Sequence, residues 1–227
     1  MYKISIIIPT INEANNLPLL LSDLSIISKE GELLIVDGGS KDNTTDIGKI
    51  YGAKVFKSKE KNRGLQLDIG ANNAKGDWLI FLHADSRLNN DWYVKIKSNL
   101  IDNENFIYFF RFKIEHKNIF FRILEILVNF RSKYLKQPYG DQGLIIHRKN
   151  YFKNNGFRKI PLMEDFDFIN RINNKKNLKQ LNFPIFTSAR KWEKTNIILQ
   201  TLKNYNFRRR WLRGESIKSI YSEYYKK

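Results

Sequence analysis

The chain has 227 residues, 42% of them hydrophobic, which is enough for a proper core, and it contains no cysteine. Disulfides, thiolate metal sites and cysteine nucleophiles are therefore excluded. Forty Lys plus Arg against 23 Asp plus Glu leave a net charge of +17. That balance suits nucleic acid, an anionic membrane or a phosphorylated substrate, although lysines scattered among asparagines and isoleucines also follow from a biased base composition.

The N-terminal stretch "MYKISIIIPTINE" carries an apolar run, Lys3 to Ile8, that reads as a first strand. Pro9, Asn12 and Glu13 stop it, so it reads as neither secretion signal nor membrane span, and the expectation is a cytoplasmic protein. Leu17, Leu20, Leu21, Leu24 and Ile27 recur at helical spacing, and Thr10 with Glu13 has capping-box spacing that starts this helix just after the strand. "ELLIVDGGS" predicts a second strand and "DNTTDIGKIYG" a short helix closed by Gly52. "AKVFKS" is a third strand, residues 63–75 another helix and "DWLIFLHAD" a fourth strand. Strands alternating with short helices imply parallel crossovers, hence an open, mostly parallel α/β sheet flanked by helices.

In such sheets ligands bind beyond the carboxyl ends of the strands. The first strand ends in Thr10, Asn12 and Glu13, the second in Asp37, Gly38, Gly39 and Ser40, the fourth in His83 and Asp85. Each cluster alone has an ordinary reading as turn or cap chemistry. Three polar clusters on one sheet edge point to a site.

Past residue 90, "FIYFFRFKI" reads as a strand, 118–132 as a helix and "GLIIH" as a short strand that extends the same sheet. The most apolar stretch, "IFFRILEILV", is too short and too interrupted by Arg122 and Glu125 to cross a bilayer. With no Pro/Gly/Ser-rich linker and no repeat, residues 1–227 read as one domain. From Thr201 to Lys227 the pattern is helical, with eight basic residues against two acidic, a net of +6.

The blocks "IIPTINEANNL", "VDGGSKDNT", "RGLQLDIGANNAKGDWLIFLHADSRL", "GDQGLIIHRKNYF", "PLMEDFDFINRI" and "TSARKWE" occur in the order seen in family 2 glycosyltransferases, which the chain resembles over nearly its whole length. The last two blocks resemble a short bacterial subgroup associated with arsenosugar biosynthesis. The resemblance implies a GT-A fold, a nucleotide-sugar donor, a divalent cation (Mg or Mn), a hydroxyl acceptor and inversion at the anomeric carbon. It implies a nucleotide-binding half over 1–100, an acceptor and catalytic half over 101–200, and a basic helical segment over 201–227. Asp37 falls where the family contacts the nucleoside, Glu13 where it holds the base or ribose, and Arg63 on a basic position near the nucleotide. Pro9, Thr10, Asn12, Gly38, Gln66 and Ala84 belong to the same donor-side blocks. Asp85 matches the last acid of the family's DxD, which meets the metal on the diphosphate. His83 replaces the first acid, which departs from DxD as in the subgroup and leaves His83 as a second candidate ligand beside its structural reading.

The chemistry asks for these residue types. A nucleoside diphosphate leaves only when its developing charge is neutralised, which a hard cation on carboxylate oxygen does directly. An attacking hydroxyl must lose its proton to a base within reach. Glu164 and Asp165 are the candidates, and the family pattern makes Asp165 the base, with Glu164 orienting the acceptor or supporting the loop. Acids at a helix start also favour the helix dipole, which makes Asp167 a further solvated charge. Arg190 and Trp192 suit a diphosphate and a sugar face; core packing explains Trp192 equally well.

A sugar nucleotidyltransferase would need a glycine-rich basic loop after the first strand, and "PTINEANN" supplies neither glycine nor cation. A non-catalytic nucleic-acid-binding protein fits the charge and "NYNFRRRWLRG", but no nucleic-acid motif accompanies them and acidic strand ends repel phosphates, so nucleic acid is not an expected partner. Ile197, Leu199, Leu202 and Phe207, with Arg208, Arg209, Arg210 and Arg213 around Trp211, form a combination suited to peripheral contact with an anionic membrane. The packing alternative has Phe207 and Trp211 covering the sheet.

Overall fold

The computed structural model describes residues 3–100, 104–172, 174–189 and 197–225. Eight strands, β1 (Ile4–Thr10), β2 (Gly31–Asp37), β3 (Lys54–Lys57), β4 (Trp78–Phe81), β5 (Ser86–Arg87), β6 (Ile107–Ile114), β7 (Leu144–His147) and β8 (Leu178–Thr187), make one sheet in the order β3-β2-β1-β4-β7-β6-β8-β5. β3, β2, β1 and β4 run parallel. β7 is antiparallel to both neighbours, and β8 is parallel to β6.

β1 is buried on both faces, as a central parallel strand covered by helices must be. On one side Ile6 and Ile8 pack with Leu17, Leu20 and Leu21 of α1 (Leu17–Asp23) and Ile96 of α4 (Trp92–Leu100). On the other Ile7, Leu79 and Phe81 meet Leu67 and Ala71 of α3 (Arg63–Asn73) and Phe168 and Ile169 of α7 (Glu164–Arg171). α2 (Thr44–Ile50) ends at Gly52, whose φ of +76° is the left-handed turn expected there. α5 (Ile119–Tyr134), α6 (Arg148–Lys153), α8 (Ile197–Leu212) and α9 (Ile217–Tyr224) complete the helices used below.

Three sequence expectations change. The capping box of Thr10 and Glu13 does not form: Thr10 is the last residue of β1 and its hydroxyl donates to Asp37 Oδ1 (3.3 Å). A turn on the Glu13 carbonyl intervenes, and α1 begins at Leu17 with Pro18 in its first turn, where a missing N–H costs nothing. β8 was not expected, because polar residues and Pro184 break its pattern; the register between β6 and β8 shifts just where Pro184 pairs with Arg111, and such an irregularity accommodates proline. At the C-terminus, Phe207 packs with Leu162, Met163, Phe166 and Ile220, with Trp211 against them, so these aromatics cover the start of α7 rather than the sheet. Among the described residues no helix is long and apolar enough to cross a membrane.

Candidate functional site

A cleft of about 440 Å³ opens at the carboxyl ends of β1 and β4, where a parallel α/β sheet places its ligands. Pro9 and Thr10 line it from β1 and Glu13 from the turn that follows, Arg63 and Gln66 from α3, and His83, Ala84 and Asp85 from the turn after β4. Asp165, the second residue of α7, closes the far side.

The strand ends are joined before any ligand arrives. Gln66 is buried and its Nε2 donates to the carbonyls of Thr10 (2.9 Å) and Val36 (2.7 Å), tying β1 to β2 from α3. Asp37 is 3% exposed and its oxygens are engaged. Oδ2 accepts from the amides of Gly39 and Ser40 (both 2.9 Å), and Oδ1 accepts from the hydroxyls of Ser40 and Thr10. Asn12, held at φ +53°, accepts from the Lys41 amide (2.8 Å) and so pins the same loop. Asp37 and Gly38 are buried in the turn after β2, which folds back on its own carboxylate, and Asn12 is exposed beside it; none of the three lines the cleft.

Asp85 differs. It is half-buried on the cleft wall and accepts no hydrogen bond among the described residues. His83 stands on the same wall.

Glu164 and Asp165 take separate surroundings although they are neighbours. Met163 precedes α7 at φ +62°, a left-handed conformation that is costly for a non-glycine residue and is held here by packing with Leu162, Phe166 and Phe207. Successive helical residues point about 100° apart, so one acid turns inward and the other to the cleft. Glu164 is 1% exposed and receives two bonds from Arg63, the second from Nη2 to Oε2 at 3.2 Å. Burial pushes the Glu164 carboxyl above the usual carboxylate range against the pull of Arg63. For Arg63, burial opposes the charge, and the carboxylates of Glu164 and Asp165 outweigh it, holding the guanidinium firmly protonated. Glu164 thus supports α3 against α7 and is absent from the cleft wall. Asp167, expected as a solvated charge, is buried and paired with Arg171 (2.8 Å) and Arg158 (3.1 Å).

Asp165 is aimed by backbone amides: Oδ2 accepts from Gly140 N–H (2.6 Å) and Oδ1 from Phe166 N–H (2.7 Å). Gly140 is the hinge of this arrangement. A Cβ there would lie 2.8 Å from His83 Nε2 and 3.1 Å from Asp165 Oδ2, so any larger residue would displace the two groups that converge on it.

A second wall went unread in the sequence. Arg131 of α5, Tyr139, Asp141, Arg208 of α8, and Tyr221 and Tyr224 of α9 all face the cleft. The guanidinium carbons of Arg131 and Arg208 lie 3.6 and 4.7 Å from the Tyr139 ring centre. Arg131 Nη2 is buried with no hydrogen-bond partner among the described residues. Burial pulls the Arg131 pKa down, and arginine nonetheless stays charged. Arg190 and Trp192 lie outside the described residues.

Among the described residues no group of three or more His, Asp or Glu side chains forms a metal cage. A Mg²⁺-type cation held by one carboxylate and completed by phosphate oxygens and water does fit the cleft, where Asp85 accepts no hydrogen bond among the described residues.

A polar cleft enclosed by strand ends and an adjoining helix start is the ligand site common to open α/β sheets. Residues 5–181 match glycosyl transferase family 2, and the chain belongs to that family. The fold is similar to that of S. aureus TarS 1–349, with a TM-score of 0.65 at 19% identity over 82% of this chain and 60% of that one. It is also similar to glucosyl-3-phosphoglycerate synthase from Mycobacterium tuberculosis in complex with Mg²⁺ and UDP, with a TM-score of 0.59 at 16% identity over 81% of this chain and 70% of that one. In sequence, 96 residues are 39% identical to the 4,4'-diaponeurosporenoate glycosyltransferase of Staphylococcus haemolyticus, a match covering 39% of this chain and 26% of that relative's length.

Proposed function

We propose that the chain transfers a sugar from a nucleoside-diphosphate sugar to a hydroxyl acceptor with inversion, Asp165 acting as general base. The observation that carries this reading is the convergence on one cleft of Asp165, amide-held at Gly140, with His83 and the unengaged Asp85. The acceptor oxygen attacks the anomeric carbon as the bond from that carbon to the diphosphate oxygen breaks. The acceptor proton passes to Asp165, and the nucleoside diphosphate leaves with the bond's electron pair. Asp165 is suited to this because two backbone amides fix the position of its carboxylate. Asp85, with His83 beside it, would hold a divalent cation, which when bound supplies charge neutralisation to the diphosphate. Pro9, Thr10, Glu13, Gln66 and Ala84 form the donor side of the cleft, and Arg63, Arg131 and Arg208 supply cations that favour an anionic donor. Asp37, Asn12 and Gly38 act beside it, by holding the β2 turn in shape for the nucleoside. Glu164 positions Arg63 rather than touching the acceptor. The arsenosugar resemblance names one acceptor class to assay.

Incubating the purified protein with a panel of nucleotide sugars and Mg²⁺ or Mn²⁺, after thermal-shift screening for the donor that stabilises it, tests the reading. Release of nucleoside diphosphate is expected. Formation of nucleoside triphosphate and sugar 1-phosphate only when pyrophosphate is added would make the chain a nucleotidyltransferase, and no stabilisation or turnover with any donor would leave a binding protein.

A further inference from the structure

α5 is apolar on two sides. Phe121 and Leu124 point inward and pack with Phe112, Ile114 and Ala189. Ile119, Phe120, Ile123, Ile126, Leu127 and Phe130 are each 51–67% exposed, and Tyr134 extends the row. At about 100° of turn per residue, these seven fill a single arc of roughly 120° with no polar residue inside it. A helix on a water-facing surface needs only its core-side stripe, so a second unbroken apolar arc of this size marks an interaction surface.

The charge around the arc is of one sign. Between Lys117 and Lys136 stand Arg122, Arg131 and Lys133, and the only acid is Glu125. Glu125 is buried; it accepts from the Ile114 amide (2.7 Å) and pairs with Arg122 (3.0 Å). Lys117 and Lys133 are exposed, so an occupant meets apolar side chains flanked by cations with no exposed acid on this helix.

We propose that the outer arc of α5 docks this protein on an anionic bilayer, the helix lying in the interface plane with its apolar side chains among the upper acyl chains and its cations at headgroup level. The charge argues for lipid over a second copy: two chains of +17 meeting on this face would bring lysines together with no acid to pair them. The inner flank of the same helix, Leu124, Val128 and Arg131, lines the cleft, so docking holds the cleft against the membrane. Resting on the glycosyl-transfer reading, the acceptor is then a lipid-borne hydroxyl presented from the bilayer.

The test is co-sedimentation of the full chain with vesicles of phosphatidylcholine alone and of phosphatidylcholine mixed with phosphatidylglycerol, without donor or acceptor. Binding to the mixed vesicles is expected, about tenfold or more above neutral vesicles and weakened by salt. Ile123→Glu with Leu127→Glu should lower it about tenfold or more while circular dichroism stays unchanged. Ile50→Glu, on the exposed end of α2, should leave it intact. No binding to mixed vesicles, or binding indifferent to the double substitution, overturns the proposal. A lipid-free dimer that the double substitution dissociates would assign the face to a second copy instead. Since no turnover is read, a chain that fails every donor assay can still bind, and a membrane failure leaves donor hydrolysis by the soluble protein untouched.

Discussion

β2 and β4 both run from buried apolar residues into a polar turn with an aspartate, and the two aspartates meet opposite surroundings. Asp37 at the end of β2 is closed over by its own turn, with Gly39, Ser40 and Thr10 donating to it. Asp85 beyond β4 faces the cleft and accepts nothing among the described residues. The split recurs within two adjacent residues at α7, where Glu164 is buried against Arg63 and Asp165 faces the cleft. In each pair one acid is enclosed by its partners and the other faces the cleft. The residue type does not distinguish them; burial does, since Asp37 and Glu164 are enclosed while Asp85 and Asp165 line the cleft.

The comparison breaks if the enclosed acids can be unpaired without loss of stability. Arg63→Met leaves Glu164 buried without its counter-charge and is expected to cost roughly 3 kcal/mol in urea unfolding at neutral pH. Because burial raises the Glu164 pKa in the folded state, that cost should shrink as pH falls and the carboxyl takes up its proton, and grow as pH rises through the folded value. A loss that is flat with pH would mean that Glu164 is not the group left exposed to burial. Asp37→Ala is expected to cost about 2 kcal/mol, since it orphans two turn amides and the Thr10 hydroxyl. Asp85→Ala, the opposite member, should change stability by less than about 0.5 kcal/mol and instead abolish the dependence of donor affinity on Mg²⁺ or Mn²⁺ in titration calorimetry. Equal destabilisation by the two alanines would erase the distinction between them.

The sheet's first half was legible because apolar runs, glycine stops and strand-end acids are local signals, and β1 to β4 follow them. Which acid serves the backbone was not, because Thr10 reaches Asp37 across 27 positions and Arg63 reaches Glu164 across 101. The second wall of the cleft was missed for the same reason: Arg131, Tyr139 and Arg208 share no pattern along the chain and meet only when α5 and α8 fold beside α7. One signal was available and went unused. "IFFRILEILVNF" carries more apolar residues than a single helical stripe can hold, which announces a helix with two apolar sides. β8 was hidden by Pro184, whose tolerance depends on the irregular pairing with β6.

The most direct test of the account is Asp165→Asn, with donor affinity and single-turnover transfer measured on one preparation. The amide keeps the side chain's shape and its Oδ1 acceptor but cannot take the acceptor's proton. Donor affinity should match the unmodified chain while the chemical step slows about 100-fold or more. A chemical step that proceeds at its normal rate once donor saturates, or a larger loss of that step from Glu164→Gln than from Asp165→Asn, would contradict the assignment of the cleft-facing acid as the base.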